Sequence, residues 1–215
     1  MKILVATTNP GKLKEISAML DFDIDWASLS DFPDVKEIVE DGETFAANAR
    51  KKALGYAKQT GLWTLADDSG LVVDFLDGAP GVNSARFSGQ KEQNRTLLDH
   101  KNMTKLLSLL KDVPKEKRTA RFVCCLCLAC PEPVEGASPK KVLIETEGKL
   151  EGIIAEQEAG SNGFGYDPVF FVPALNKTVA QLTSAEKNKI SHRGSAVGNL
   201  KPLLEKLLKL NVRKD

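Results

Sequence analysis

The sequence predicts an α/β fold, and three observations carry that reading. Short apolar runs of strand length alternate with stretches of helical periodicity, in the order strand, helix, strand, helix, strands, helix, hairpin. Clusters of Gly, Pro, Asn and Asp separate them. Composition is ordinary for a folded chain, with 42% hydrophobic and 27% charged residues, and 215 residues suit one domain or two lobes sharing a core.

The first strand is expected at Ile3 to Ala6, followed by a polar turn and a helix with Leu13, Ile16, Met19 and Leu20 at helical spacing. Pro10 suits that helix's first turn, where its missing N–H has no intrahelical partner. A short strand near Ile24 to Ser28 precedes an acidic, turn-prone stretch from Asp31 to Glu43. Thr44 then caps a helix with a stripe of Phe45, Ala49, Ala53 and Tyr56 or Ala57, which Gly61 ends. Asn48 and Lys52, four apart, project from one face of it. Leu62 to Ala66 and Leu71 to Phe75 read as extended segments separated by Asp67-Asp68-Ser69-Gly70, and Asp77 to Gly81 as a loop. A longer helix covers Gln93 to Leu110, and Ala120 to Ala129 and Lys141 to Ile154 form two strands joined by the Pro-rich Cys130 to Pro139 linker. A short strand lies between Pro168 and Pro173, and the chain ends in an amphipathic packing helix with Leu200, Leu203, Leu204, Leu207 and Leu208 on one side. No repeat or linker divides the chain.

Thirty Lys and Arg against 29 Asp and Glu give a net charge of +1, too small an excess for a general nucleic-acid or membrane-surface binder. No apolar run approaches the roughly 18 residues of a membrane span. Met1 to Val5 passes too quickly into Asn9-Pro10-Gly11-Lys12 for a signal-peptide core. A soluble cytoplasmic protein, without nucleic-acid or membrane partners, is expected. The four cysteines (Cys124, Cys125, Cys127, Cys130) fall within seven residues and read as small apolar residues of a buried strand, rather than half of a zinc site.

Four polar segments interrupt this apolar framework. Thr7-Thr8-Asn9-Pro10-Gly11-Lys12, between a strand and a helix, offers backbone N–H groups and a lysine to an anion, although it is not a Walker A loop; an ordinary capped turn is the alternative. Asp67 and Asp68 lie between apolar segments. In an extended chain they point to opposite faces, one free to bind magnesium and activate water, the other to orient a basic group; a tight acidic turn is the alternative. In Gly160 to Pro168, glycines flanking Phe164 allow a flat ligand close to the backbone and a stacking ring, with Asp167 as a base-edge acceptor; a hairpin turn with Phe164 as a core plug is the alternative. Ser184 to Gly194 carries Lys187, His192 and Arg193, with Ser184 as N-cap and a break before the last helix; a solvated charge run is the default. Together the four supply cations, carboxylates, a stacking ring and a base-edge acceptor, an inventory that matches a magnesium-bound nucleoside triphosphate.

On these residues the chain resembles the non-canonical purine nucleoside triphosphate pyrophosphatases, the inosine/xanthosine triphosphatase family. The blocks that carry the resemblance are Thr7-x-Asn9-x-x-Lys12, Ala66-Asp67-Asp68-Ser69-Gly70-Leu71, and Gly78-Ala79-Pro80-Gly81 with Ser84-Ala85-Arg86. Gly163-Phe164-Gly165-Tyr166-Asp167-Pro168 and Glu186-Lys187 with Ser191-His192-Arg193-Gly194 complete them. One departure is Ala47, where the family usually has Glu ahead of Asn48-Ala49. The resemblance implies a long mixed sheet flanked by helices, with residues 1–215 forming one two-lobed domain around a central substrate cleft, and a homodimer. It also implies that Thr7, Thr8, Asn9, Pro10, Gly11 and Lys12 cradle phosphates neutralised by Lys12, Lys52 and Lys187, and that Glu40 and Asp68 hold Mg²⁺. Asp68 would be the proton acceptor and Ser69 would lie near the substrate. Phe164, Gly165, Tyr166, Asp167, Lys187, His192 and Arg193 would contact base and phosphates.

The expected reaction is hydrolysis between the α- and β-phosphates of ITP, dITP or XTP. Base choice would be set by donors such as His192 or Arg193 facing the 6-oxygen, with adenosine's 6-amino group rejected. A pyrophosphatase for modified pyrimidine triphosphates would share the reaction but lack the Ser-His-Arg block. A non-catalytic nucleotide sensor would have no need of Asp68.

Overall fold

The computed structural model describes residues 1–7, 12, 16, 18–20, 22, 24–132 and 141–212. Its strands are β1 (Lys2–Val5), β2 (Asp25–Ser28), β3 (Trp63–Val73), β4 (Thr119–Ala129), β5 (Val142–Ile154), β6 (Phe170–Val172) and β7 (Lys177–Thr178). Its helices are α1 (Phe45–Thr60), α2 (Arg95–Leu109), α3 (Ser184–Ile190) and α4 (His192–Val212). The seven strands form one mixed sheet in the order β2-β1-β3-β4-β5-β6-β7, with β1 parallel to β2 and β3 and with β6 antiparallel to β5 and β7. Among the described residues no helix is long and apolar enough to cross a membrane.

Local signals account for most boundaries. Thr44 caps α1 by accepting the Ala47 N–H at 3.1 Å, and Gly61 ends it in the left-handed region at φ 69°, where a residue without a Cβ is least strained. At α3 the N-cap is Thr183, one residue before the expected Ser184. Its hydroxyl accepts the Glu186 N–H while the Glu186 carboxylate accepts the Thr183 N–H, a reciprocal capping box that Ser184 cannot form with its own neighbours. The anticipated break before the last helix is a single residue, Ser191, extended at ψ 155°.

Two compact units make up the chain, one of Met1–Asp68, Cys124–Gly148 and His192–Asp215, the other of Ser69–Val123 and Lys149–Ser191. Strands β3, β4 and β5 contribute residues to both, and each unit has its own core. In the first, Ile3, Val5, Leu65, Cys124, Leu126 and Leu128 pack with Ile16, Leu20 and the α4 residues Ala196, Val197, Leu200 and Leu204. In the second, Leu71, Val73, Phe122, Tyr166 and Phe170 pack with Met103 and Leu106 of α2, and the Phe122 and Phe170 rings stack at 4.4 Å. All four cysteines are buried and outside any disulfide; burial pushes the Cys124 and Cys127 thiols up to about 12, so those two remain neutral packing groups.

Gly148 of β5 lets the start of α4 lie against the strand. A Cβ there would collide with the His192 carbonyl oxygen and the Ala196 nitrogen, which are backbone atoms that cannot rotate away. Gly148→Ala is expected to destabilise the protein by about 2–3 kcal/mol, at the upper end of ordinary overpacking. Urea unfolding checks it, and an unchanged midpoint would show that α4 tolerates displacement.

Candidate active site

The Asp67-Asp68 pair lies inside an unbroken β3, which removes the turn alternative. Alternation along the strand sends the two carboxylates to opposite faces. Asp67 shares its face with Leu65 and meets Lys12 Nζ at 2.9 Å and Arg193 Nη2 at 3.4 Å. Burial works against its charge, but the neighbouring Lys12, Arg193 and Lys52 outweigh it and hold the carboxyl well below the usual carboxylate range. Arg193, 1% exposed, begins α4, so Asp67 ties that helix to the segment after β1. That segment starts where the β1 ladder ends, with Ala6 N–H donating to Leu65 O at 2.8 Å and Thr7 N–H to Val5 O at 2.9 Å.

On the opposite face Asp68 meets α1. Lys52 Nζ lies 3.7 Å from its Oδ1 and 2.9 Å from Glu40 Oε2, so both carboxylates converge on one ammonium. Burial raises the Asp68 carboxyl; Lys52 lowers it, Glu40 raises it, and Lys12 and a hydrogen bond from Asn48 lower it, leaving it pushed up to about 6. Lys52 is held above the usual lysine value: burial opposes its charge, but Asp67, Asp68 and Glu40 together favour it.

Glu40 reaches this position through a strap. Asn48 Oδ1 accepts the Gly42 N–H at 2.7 Å, Lys52 meets Glu40, Tyr56 Oη accepts the Ile38 N–H at 3.3 Å, and Gln59 bonds both backbone groups of Lys36. Roughly one helical turn per step (about 5.4 Å) matches two extended residues (about 6.6 Å), so residues 36–42 run along α1 with every second residue fastened. Gly55 leaves room for the Ile38 side chain.

In the second unit, the turn at Gly163–Asp167 is held by buried carboxylates. Asp167, 3% exposed, accepts the Phe164 N–H at 2.9 Å and Lys187 Nζ at 2.8 Å on Oδ2. Lys187 Nζ also stands 4.6 Å from the Phe164 ring centroid, a cation–π pair that fixes the ring. Gly163 adopts φ 80°, and a Cβ there would strike the Asp167 carboxylate. Gly165 N–H donates to Asp99 Oδ2 at 2.9 Å.

The structure therefore brings Lys12, Glu40, Lys52, Asp67, Asp68 and Arg193 together in the first unit, with His192 buried beside Arg193 at the head of α4. Phe164, Gly165, Asp167 and Lys187 are gathered in the second. Ser69 follows Asp68 in β3. Tyr166 is a core residue whose hydroxyl donates to Ser84 O at 2.9 Å. Thr8, Asn9, Pro10 and Gly11 lie outside the described residues. Asn48 and Asp99 adjoin these residues through Gly42 and Gly165 and are absent from the site residues expected from the sequence. The signal for Asn48 was its place one turn before Lys52; the signal for Asp99 was a polar residue on the buried stripe of α2.

The two carboxylates converging on Lys52 are hard oxygen donors of the kind that hold Mg²⁺ when phosphate and water oxygens complete the coordination. Among the described residues no three His, Cys, Asp or Glu side chains cluster as a metal site. Glu40 and Asp68 are the two carboxylates that could hold such an ion.

Comparison with known proteins gives one answer. The Ham1 family matches residues 3–203. The chain is similar to a protein of Listeria monocytogenes named dITP/XTP pyrophosphatase (48% identity over 206 residues, 95% of each chain). A protein of the same name from Geobacter sulfurreducens is 49% identical over 201 residues, covering 93% of this chain and 94% of that one. Among solved structures it is similar to a HAM1 protein from Coxiella burnetii (TM-score 0.82, 39% identity, 96% of this chain and 99% of that one). The Ham1 protein of Staphylococcus aureus gives a TM-score of 0.81 at 35% identity, with the same coverage.

Proposed function

The chain belongs to the Ham1 family, and on that footing we propose that it hydrolyses dITP, ITP and XTP to the nucleoside monophosphate and pyrophosphate, working with Mg²⁺ as a cytoplasmic homodimer. The observation that carries this reading is Asp68, a buried carboxyl pushed up to about 6 and set against Lys52 and Glu40. Burial raises the proton affinity of Asp68 above that of an ordinary aspartate, the direction a general base near neutral pH requires. Its place among charged partners favours catalysis over packing.

Asp68 takes a proton from the water that attacks the α-phosphorus. The bond from that phosphorus to the bridging oxygen breaks, and pyrophosphate departs with the electron pair. Lys12 and Lys52 lie where negative charge on the phosphates must be met, and they act without reorganising because Asp67, Asp68 and Glu40 already hold them. Glu40 and Asp68 would hold Mg²⁺, which supplies charge neutralisation and polarises phosphate oxygens when bound. Thr7 to Gly11 cradle phosphate, and Ser69 lies near it. In the second unit Phe164, fixed by Lys187, stacks on the base, and Gly165, Tyr166 and Asp167 shape that turn. His192 and Arg193 are donors suited to a 6-oxygen; an amino group there leaves them unmatched, at about 1–3 kcal/mol per donor.

A panel of nucleoside triphosphates with Mg²⁺, resolving pyrophosphate from orthophosphate, tests this. Pyrophosphate from dITP, ITP and XTP is expected, with kcat/KM exceeding that for ATP by about two orders of magnitude. Orthophosphate as first product, or equal kcat/KM for ATP and ITP, would contradict it.

A further inference from the structure

The buried stripe of α2 is Asp99, Asn102, Met103 and Leu106, the i, i+3, i+4, i+7 positions that face a core. Its first two members are polar, against the pattern of an ordinary packing helix, and polar residues retained at such positions mark work other than packing. Asn102 accepts the Ser88 N–H at 2.7 Å and donates to Ala85 O at 3.2 Å, which pins the loop before α2. Asp99 does something else. Its Oδ2 accepts the Gly165 N–H at 2.9 Å across 66 residues of chain, while its Oδ1 meets Arg95 at 3.0 Å.

Consecutive backbone amides of one turn are thus gripped by two buried carboxylates: Phe164 N–H by Asp167 and Gly165 N–H by Asp99. Each carboxylate has its own cation, Lys187 for Asp167 and Arg95 for Asp99. These N–H groups belong to the two peptide units on either side of the Phe164 Cα, so holding both from different parts of the chain fixes the Cα between them and the ring it carries. Resting on the proposed nucleotide reading, we propose that Asp99 is a positioning residue for the nucleobase: it orients the Phe164–Gly165 peptide, and through it the stacking ring, without touching the phosphates.

Two variants and three readouts test this. Asp99→Ala removes the acceptor; Asp99→Asn keeps one oxygen for the Gly165 N–H. Asp99→Ala is expected to raise KM for dITP and XTP about tenfold or more while kcat changes less than about threefold, because a misplaced ring weakens binding of the base without moving the reacting atoms. Inhibition by tripolyphosphate, which has no base, should be unchanged, and Asp99→Asn should recover most of the loss. An unchanged KM, a parallel rise in the tripolyphosphate inhibition constant, or an Asn variant as impaired as Ala would overturn the role. Amide exchange at Gly165 gives a readout independent of turnover: protection in the wild type that is lost in Asp99→Ala is expected, and equal protection in both would also overturn it. Should the wild type cleave no purine triphosphate, the proposed function fails, while the exchange result still decides whether Asp99 holds the turn.

Discussion

Replacing Asp68 with asparagine is expected to lower kcat by about two to four orders of magnitude, the usual contribution of a positioned general base, with a much smaller change in nucleotide affinity. Equal losses in both would show that Asp68 binds substrate rather than accepting a proton. The same substitution should stabilise the metal-free protein at neutral pH. The folded carboxyl sits at about 6 against 3.8 in a free aspartate, so its favourable linkage is fully present below 3.8 and is lost as pH rises through about 6. Above that, ionised Asp68 costs the fold roughly 3 kcal/mol, a two-unit shift at about 1.36 kcal/mol per unit. Asn removes that net cost, in which the attraction to Lys52 is already counted, so a gain of about 1–3 kcal/mol at pH 8 is expected, vanishing near pH 4. Urea titrations at the two pH values in the presence of a chelator measure it. A protein that is less active and more stable would mark Asp68 as a group kept for chemistry at the expense of the fold.

The adjacent aspartate should behave in the opposite way. Asp67→Ala removes a counter-charge from Lys12 and from an Arg193 that is 1% exposed. Breaking a buried pair from one side typically costs about 3–5 kcal/mol, and that loss is expected at pH 7. The pH sign is also reversed. Because the Asp67 carboxyl is held below the usual range, its contribution is present above 3.8 and is lost only as pH falls through the lower folded value. The wild type should therefore keep this part of its stability in mild acid, where the gap between it and Asp67→Ala persists. A loss under about 1 kcal/mol at pH 7 would mean that the two cations are solvated and that Asp67 does not organise them.

How much of this was legible in the sequence depends on how far each residue's partner lies along the chain. Thr44 and Gly61 act on backbone within four residues, and they bound α1 as the sequence predicts. The stretch Asp67 to Gly70 has turn composition and acidic neighbours, so local chemistry alone left a turn open. Lys12 and Arg193, the latter 126 positions away, compensate the charge and let β3 run straight through. Asp99 gave less warning still, since its partner is a backbone amide, which has no sequence signature. Glu40 could be named by resemblance, but the strap that places it needs Asn48, Tyr56 and Gln59 in step with an irregular segment of no periodicity. Tyr166 shows the converse: it sits in a motif full of site residues, yet its ring belongs to the core.

The route of the chain through its two units bears on biosynthesis. The second unit is made of residues 69–123 and 149–191, whereas in the first the α4 residues Ala196, Val197, Leu200 and Leu204 pack with Ile3, Val5 and Leu65. Domains are commonly completed in the order of their translation; here residues 3 and 5 pack with residues 196–204, which are translated after the whole of the second unit. The second unit has all its residues while α4 is still being synthesised. Until residues 196–204 have emerged, Ile3, Val5 and Leu65 lack the α4 side chains that complete their core.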